Sequence, residues 1–184
     1  MLERRAYARE EYMDIYIHSD NVSLRSWTMK DAQALSIIGN NDEVEANMND
    51  GFPKPFTVEK AREFIKNARK SNDLFLAIEK SNKIVGSIGA FFNTHDKTSA
   101  VIAYFIGKDY WNQGYASSAI KGLIEYLVKE KGIKTVSAEP FERNHRSRKV
   151  LEKNGFKLIK IIENGTKKNN IEINTCKYEY RIVF

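Results

Sequence analysis

The sequence predicts an α+β domain whose central sheet is mixed, mostly antiparallel and flanked by helices. First, apolar strands at 74–78, 84–92 and 100–106 are joined by short polar turns, which favours an antiparallel meander. Second, a long helical period over 114–131 is followed by a strand at 133–138, and a helical crossover makes that strand parallel to the one before the helix. Third, no repeat, low-complexity tract or Pro/Gly-rich linker divides the chain.

The elements before the meander are marked by alternation and by capping residues. A strand is predicted at 22–27, where apolar side chains occupy every second position. Thr28 and Thr57 each stand where a helix N-cap is needed. Between these two helices, 40–49 is predicted to be a short helix, and 50–56 is predicted to be a loop because its two prolines exclude a helix.

The last third of the chain returns to the sheet. Gly132 ends the 114–131 helix, and a second helix begins at Asn144 and ends at Gly155. Two further strands are predicted at 156–162 and 175–184, joined by a loop rich in Gly, Asn and Lys.

Composition restricts the class of protein. The 184 residues contain one cysteine, Cys176, which excludes an internal disulfide framework and gives no metal-ligand spacing, so no metal is expected. The first residues are charged rather than apolar, unlike a signal peptide, and no stretch has the length of a membrane span. We therefore predict a cytoplasmic protein without a membrane partner, with residues 1–13 as an N-terminal extension and 14–184 as a single domain.

The net charge of +6 allows two interpretations. The lysines are scattered along the chain, which is typical of a solvated surface, but a phosphate-bearing ligand would also favour a positive protein. An RNA-binding domain is a weaker hypothesis, because aromatic and basic residues do not interleave and no RNA-binding motif occurs. No nucleic-acid partner is expected.

A junction between strand and helix at 107–117 is the first candidate binding site. Small residues at Gly114, Ala116 and Ser117 leave the first-turn amides of the 114–131 helix uncovered. Those amides lack intrahelical acceptors and lie at the positive end of the helix dipole, where a diphosphate can bind. A glycine that only permits close packing is the alternative interpretation.

Three segments together carry a family resemblance. They are Tyr110-Trp111-Asn112-Gln113-Gly114-Tyr115-Ala116, then Asn144-x-x-Ser147, then Leu151-Glu152-Lys153-Asn154-Gly155-Phe156. In this order and at these spacings they resemble the GNAT superfamily of N-acetyltransferases, over roughly residues 20–182, and most closely its branch of ribosomal-protein-alanine N-acetyltransferases. P-loop and Rossmann signatures do not occur.

The resemblance implies a GNAT-type sheet with a splayed parallel strand pair and acetyl-CoA as co-substrate. In the family the pantetheine arm lies in the gap between the two strands, and the Gln/Arg-x-x-Gly-x-Gly/Ala segment, here 111–116, holds the diphosphate through its amides. Trp111 departs from the family's first position. The implied coenzyme-binding residues are Phe105, Ile106, Asn112, Gln113, Gly114, Tyr115, Ala116, Ser117 and Asn144. Asn144 is also explained as a helix N-cap, and both roles are compatible.

Ser147 is the candidate catalytic residue. The resemblance places its hydroxyl near the coenzyme sulfur, where it would protonate the leaving thiolate; a first-turn serine without a catalytic role is the alternative. The family's glutamate base has no counterpart, because Val101 stands at its position. The base is therefore left unassigned. Five other residues are candidates, although each is better explained as an ordinary surface residue: Glu45, Asp50, His95, Glu139 and Glu142. Arg148, Lys149 and Lys153 either meet the coenzyme's 3′-phosphate or form a solvated helix face.

The functional hypothesis is transfer of an acetyl group from acetyl-CoA to a primary amine, either a protein N-terminus or a small molecule. Cys176 has no nearby His in sequence, which favours direct transfer in a ternary complex over a covalent enzyme intermediate. Phe52 and Phe56 are expected to form a wall of the acceptor cleft, or else to anchor their loop. The alternative is a non-catalytic acyl-CoA-binding sensor or scaffold, and the protein is expected to be a monomer or homodimer.

Overall fold

The structure is a computed structural model that describes residues 14–182; the predicted extension 1–13 lies outside the described residues. In this described part of the chain, eight strands form one sheet in the order β1-β2-β3-β4-β5-β6-β8-β7. The strands are β1 Tyr16–Ser19, β2 Val22–Ser26, β3 Leu74–Lys80, β4 Lys83–Phe92, β5 Ser99–Ile106, β6 Thr135–Ala138, β7 Lys157–Lys168 and β8 Ile171–Arg181. The α-helices are α1 Ala32–Gly39, α2 Asp42–Glu45, α3 Val58–Ala68, α4 Tyr115–Lys131 and α5 His145–Lys153.

The predicted mixed, mostly antiparallel sheet is confirmed. Strands β3, β4 and β5 form the meander, and β5 and β6 are the only parallel neighbours in the sheet of described residues. The two-residue turn Ser81–Asn82 between β3 and β4 has positive φ at both positions, as a tight hairpin that follows the twist of its strands requires. Helix α4 makes the crossover, and Gly132 ends it in the left-handed conformation.

Two apolar clusters cover the two faces of the sheet. On one face, α4 packs with Ala119, Ile120, Leu123 and Leu127 fully buried. On the other, α1 and α3 enclose Trp27 and neighbouring aromatic residues. The alternation of β5 follows from this arrangement: Ala100 and Ile102 are buried towards α4, whereas Val101 faces the opposite side and is 44 % exposed.

The prediction of a loop between the last two strands is wrong. Pairing of β7 with β8 continues through Thr166 and Ile173 as far as Lys168 and Ile171, and the turn consists of Asn169 and Asn170, both with positive φ. Asparagine adopts this conformation at low cost, so the polar segment forms a tight hairpin. The tip extends beyond the core, and its sequence therefore lacks the apolar alternation by which strands are identified.

Smaller differences concern the first half of the chain. Strand β1 was not predicted, and α2 covers four residues of the predicted 40–49 helix. Thr28 begins a short 3-10 turn rather than α1 itself, and Asp31 accepts hydrogen bonds from Thr28 N at 2.8 Å and from Arg25. Of the described helices, none is both long and apolar enough to cross a bilayer.

Candidate active site

A gap opens in the sheet between β5 and β6. The two strands pair only over Ser99–Val101 and Thr135–Ser137, whereas β5 continues to Ile106 against β4. Within residues 14–182, positions 102–106 therefore have no strand partner on the β6 side. We call this gap the seam; it is the splayed parallel pair that the family resemblance implied.

The N-terminus of α4 follows the open end of β5. Gly114 is the N-cap with φ of 78°, and it supplies no side chain to cap the helix. The first intrahelical bond is donated by Ser118 N to Gly114 O at 3.0 Å, so the amides of 115–117 have no acceptor within the helix. A Cβ built on Gly114 would meet nothing within 4 Å. The helix thus presents free donors and its positive dipole end to open space.

Helix α5 forms the other side of the seam. Asn154 Nδ2 donates to Ser117 Oγ at 2.8 Å and fixes the end of α5 to the first turn of α4. Two more of the predicted coenzyme-binding residues have structural roles. The carbonyl of Gln113 accepts a hydrogen bond from Asn21 Nδ2, and the backbone of Asn112 adopts the left-handed conformation. Ile106 O accepts from Trp111 Nε1 at 2.7 Å, so the binding role predicted for its backbone would use the remaining lone pair.

Asn144 is the N-cap of α5. Its Oδ1 accepts from Ser147 N at 3.2 Å, and within residues 14–182 its Nδ2 has no hydrogen-bond acceptor. The cap therefore uses the oxygen of the amide and leaves the nitrogen available to a ligand.

The two roles of Asn144 are separable by substitution. Asn144→Asp keeps a capping oxygen but loses the amide donor, so we expect unchanged stability and weaker coenzyme binding, by about tenfold for one lost hydrogen bond. Asn144→Ala loses both and should also destabilise the fold by about 1 kcal/mol. Urea unfolding and calorimetry with CoA measure the two effects. Equal CoA affinity in the Asp variant and the natural protein would mean that Asn144 serves only as a helix cap.

Ser147 lies in the first turn of α5 and contacts β5. Its Oγ is 2.9 Å from Tyr104 Oη, across the seam. Sequence reasoning missed Tyr104, although a phenol among the apolar residues of β5, just before the predicted coenzyme contacts Phe105 and Ile106, was a usable signal. Burial raises the pKa of Tyr104 to about 12, so the phenol stays protonated at neutral pH.

The raised pKa of Tyr104 predicts a loss of stability in alkali. Below pH of about 10 the phenol is protonated in both folded and unfolded chains; between about 10 and 12 the unfolded chain loses this proton first, and stability falls with rising pH. The slope from this group is at most roughly 1.4 kcal/mol per pH unit. Urea unfolding of the natural protein and of Tyr104→Phe, at about pH 9 and about pH 11, should show the steeper loss in the natural protein. Parallel losses would contradict it.

Two cationic side chains lie against the ring of Trp111 at the edge of the seam. Lys108 Nζ lies 4.3 Å from the centroid of the Trp111 ring and Arg146 Cζ lies 4.6 Å from it. Lys108 is neutralised by Glu43, whereas Arg146 has no carboxylate partner among the described residues. Arg148 is unlike the predicted phosphate contact, since its guanidinium binds Tyr178 Oη and Glu142 O.

The 50–56 loop packs against the open end of β5. The ring of Phe52 packs edge-on against Phe105 with centroids 5.5 Å apart. Lys168, buried at the hairpin tip, bonds to Glu45 and lies 3.7 Å from Asp50. Phe52 and Asp50 thus tie the first part of the loop to β5 and to the hairpin tip, and the space beneath the loop is the candidate acceptor cleft.

The structure divides the five candidate bases into three that lie away from the open end of the seam or are paired with Lys168, and two that lie at the open end. Glu45 and Asp50 are paired with Lys168, and His95 lies in the β4–β5 turn, at the end of β5 where the seam is closed. The other two follow β6 at the open end: Glu139 accepts from Thr175 Oγ1 at 2.6 Å and Glu142 from Asn174 Nδ2 at 3.0 Å.

Covalent catalysis by cysteine and metal catalysis find less support in the described residues. Burial raises the pKa of the Cys176 thiol, which makes it a poor nucleophile. Within residues 14–182 no three His, Cys, Asp or Glu side chains are grouped as metal ligands.

Comparison with known proteins agrees with this geometry. Residues 21–157 match the acetyltransferase (GNAT) domain family. An uncharacterized N-acetyltransferase, p20 of Bacillus licheniformis, is 25 % identical over 147 residues, which cover 76 % of this chain and 81 % of p20.

Two solved structures share the fold. RimL, a ribosomal L7/L12 alpha-N-protein acetyltransferase in complex with coenzyme A, has a TM-score of 0.82 at 17 % identity and covers 91 % of this chain and 98 % of its own. The microcin C7 self-immunity acetyltransferase MccE, in complex with acetyl-CoA and AMP, has a TM-score of 0.79 at 23 % identity, with 89 % and 93 % covered. Since the family match spans well over half of the sequence, the chain belongs to the GNAT family of N-acetyltransferases.

Proposed function

We propose that the protein transfers an acetyl group from acetyl-CoA to a primary amine within a ternary complex. The observation that carries the proposal is the uncapped N-terminus of α4 beside the open seam, with the Ser147 hydroxyl on the seam's opposite side. An anion site, a slot for an extended chain and a proton donor are thereby combined.

The coenzyme fits this arrangement in one direction. Its diphosphate would accept from the amides of 115–117, and Arg146 would add positive charge nearby. The pantetheine arm would lie along residues 102–106 of β5, with the Asn144 amide donating to it. That both MccE and RimL are solved with a form of this coenzyme supports the placement.

The reaction then needs one proton to leave nitrogen and one to reach sulfur. The amine, held in the cleft beneath the 50–56 loop, attacks the thioester carbon; a C–N bond forms and the C–S bond breaks. Ser147 protonates the departing thiolate and regains a proton from solvent water, so the proton lost by nitrogen and the proton gained by sulfur balance. The family resemblance places Val101 at the position of the family's glutamate base, so the nitrogen proton passes to water or to Glu139 or Glu142 at the open end of the seam. Holding both reactants in one orientation supplies much of the rate.

A non-catalytic acyl-CoA sensor is the second candidate. The observation in its favour is Val101, an apolar side chain at the position of the family's base. Both candidates bind acetyl-CoA, so binding alone does not distinguish them.

The decisive experiment is a thiol-release screen with acetyl-CoA. The acceptors should include peptides with free N-terminal Ala, Ser or Met, a peptide with a blocked N-terminus and a free Lys, and small polyamines. RimL and MccE, whose names indicate a protein N-terminus and self-immunity, motivate testing both peptides and small molecules. We expect at least one amine to release CoA thiol and to gain an acetyl group by mass. Tight binding of acetyl-CoA with no release from any amine would favour the sensor.

A further inference from the structure

The contact between Tyr104 and Ser147 crosses the seam at the position proposed for the thioester. Tyr104 lies on the stretch of β5 that has no β6 partner, and Ser147 lies in the first turn of α5. Their oxygens are 2.9 Å apart, a normal distance for a hydrogen bond between hydroxyl groups. The helix cap does not need this contact, because it uses the backbone N–H of Ser147.

The direction of this hydrogen bond decides what Ser147 can do. A serine hydroxyl has one hydrogen, and it reaches a ligand only if it is not donated to Tyr104. The other acceptor near Tyr104 Oη is Ser147 O, whose distance of 3.4 Å is longer than the 2.9 Å to Ser147 Oγ. The phenol therefore donates best to Ser147 Oγ.

We propose that Tyr104 is a positioning residue that donates to Ser147 Oγ and thereby directs the Ser147 hydrogen at the coenzyme sulfur. A hydroxyl that accepts one hydrogen bond also becomes a stronger donor in the next. Tyr104 keeps its own proton throughout, consistent with the raised pKa described above, and the step adds no atom to the reaction balance. This inference rests on the proposed function, in which Ser147 is the donor to sulfur.

The test uses the pKa of the thiol of bound CoA, which requires no acceptor amine. Hydrogen bonding to a thiolate stabilises the charged form and lowers the thiol pKa. The thiol is titrated by its thiolate absorbance, with protein in excess, for the natural chain, Ser147→Ala, Tyr104→Phe and the double variant. Tyr126→Phe is the matched control: it is a partly buried tyrosine of the same core, without a side-chain hydrogen bond among the described residues.

We expect the natural protein to lower the pKa of bound CoA below that of free CoA by roughly one unit or more. Ser147→Ala should abolish this shift, Tyr104→Phe should remove at least about half of it, and the double variant should match Ser147→Ala, since Tyr104 acts only through Ser147. Tyr126→Phe should behave as the natural protein.

The outcomes separate the two claims. If Ser147→Ala abolishes the shift while Tyr104→Phe keeps it, the role of Tyr104 is overturned and the proposed function stands. If the double variant differs from Ser147→Ala, Tyr104 acts independently and the inference is also overturned. If Ser147→Ala itself leaves the pKa of bound CoA lowered, the role proposed for Ser147 fails, and that of Tyr104 fails with it.

Discussion

Gly114→Glu should reduce the affinity for acetyl-CoA by roughly a thousandfold. The substituted side chain would enter the open space at the N-terminus of α4 and place a carboxylate where the diphosphate is expected. Two like charges about 4 Å apart near a protein surface repel by about 4 kcal/mol, which corresponds to this factor. Calorimetry with acetyl-CoA measures it directly, without an acceptor.

The same helix supplies a matched control. Gly132 caps the other end of α4 with φ of 65°, and a Cβ there would also meet nothing within 4 Å. Gly132→Glu therefore imposes comparable backbone strain and the same charge at the negative end of the helix, and should leave coenzyme affinity unchanged. Gly114→Ala isolates the strain at the first position. If both Glu variants bound acetyl-CoA equally, the diphosphate site would be elsewhere.

The architecture was predictable because its main elements carry local sequence signals. The apolar period of α4, the polar turns of the meander and the caps at Thr57 and Asn144 are local signals, and the structure confirms each of them. The hairpin tip was not predictable in the same way. Its residues pair beyond the core, and Lys168 is buried by ion pairing with Glu45, a contact over 123 residues that no periodicity encodes.

The candidate site likewise combines features that local sequence signals predict with contacts that only the fold creates. The uncapped start of α4 follows from Gly114 and its small neighbours, and Asn144 follows from capping preferences. By contrast, Tyr104 meets Ser147 only because β5 leaves β6 after Val101 and the two residues, 43 positions apart, face each other across the gap. The stacking of Arg146 on Trp111 is likewise a tertiary contact, and it brings a cation beside the residue that departs from the family pattern. Spacing predicted which segments matter, whereas the geometry adds which side chains act together.

Ser147→Ala should lower kcat by about a hundredfold while CoA affinity changes less than about twofold, because a positioned proton donor typically contributes 10²–10⁴ to the rate and contributes little to ground-state binding. The structure indicates that this substitution removes one interaction and leaves the helix cap intact. The α5 cap accepts the backbone N–H of Ser147, which alanine retains, so only the hydroxyl and its bond to Tyr104 are lost. Losing that bond should cost about 1 kcal/mol of stability.

The measurement uses the fastest acceptor from the thiol-release screen, with kcat and the Kd for CoA determined separately. Ser147→Thr is the control, since it keeps a hydroxyl at the same position and should retain much of the turnover. A general loss of packing would lower both variants alike, whereas a missing proton donor affects alanine alone. If alanine and threonine both turn over as fast as serine, the leaving thiolate takes its proton from another source, and the contact across the seam serves only to hold α5 against β5.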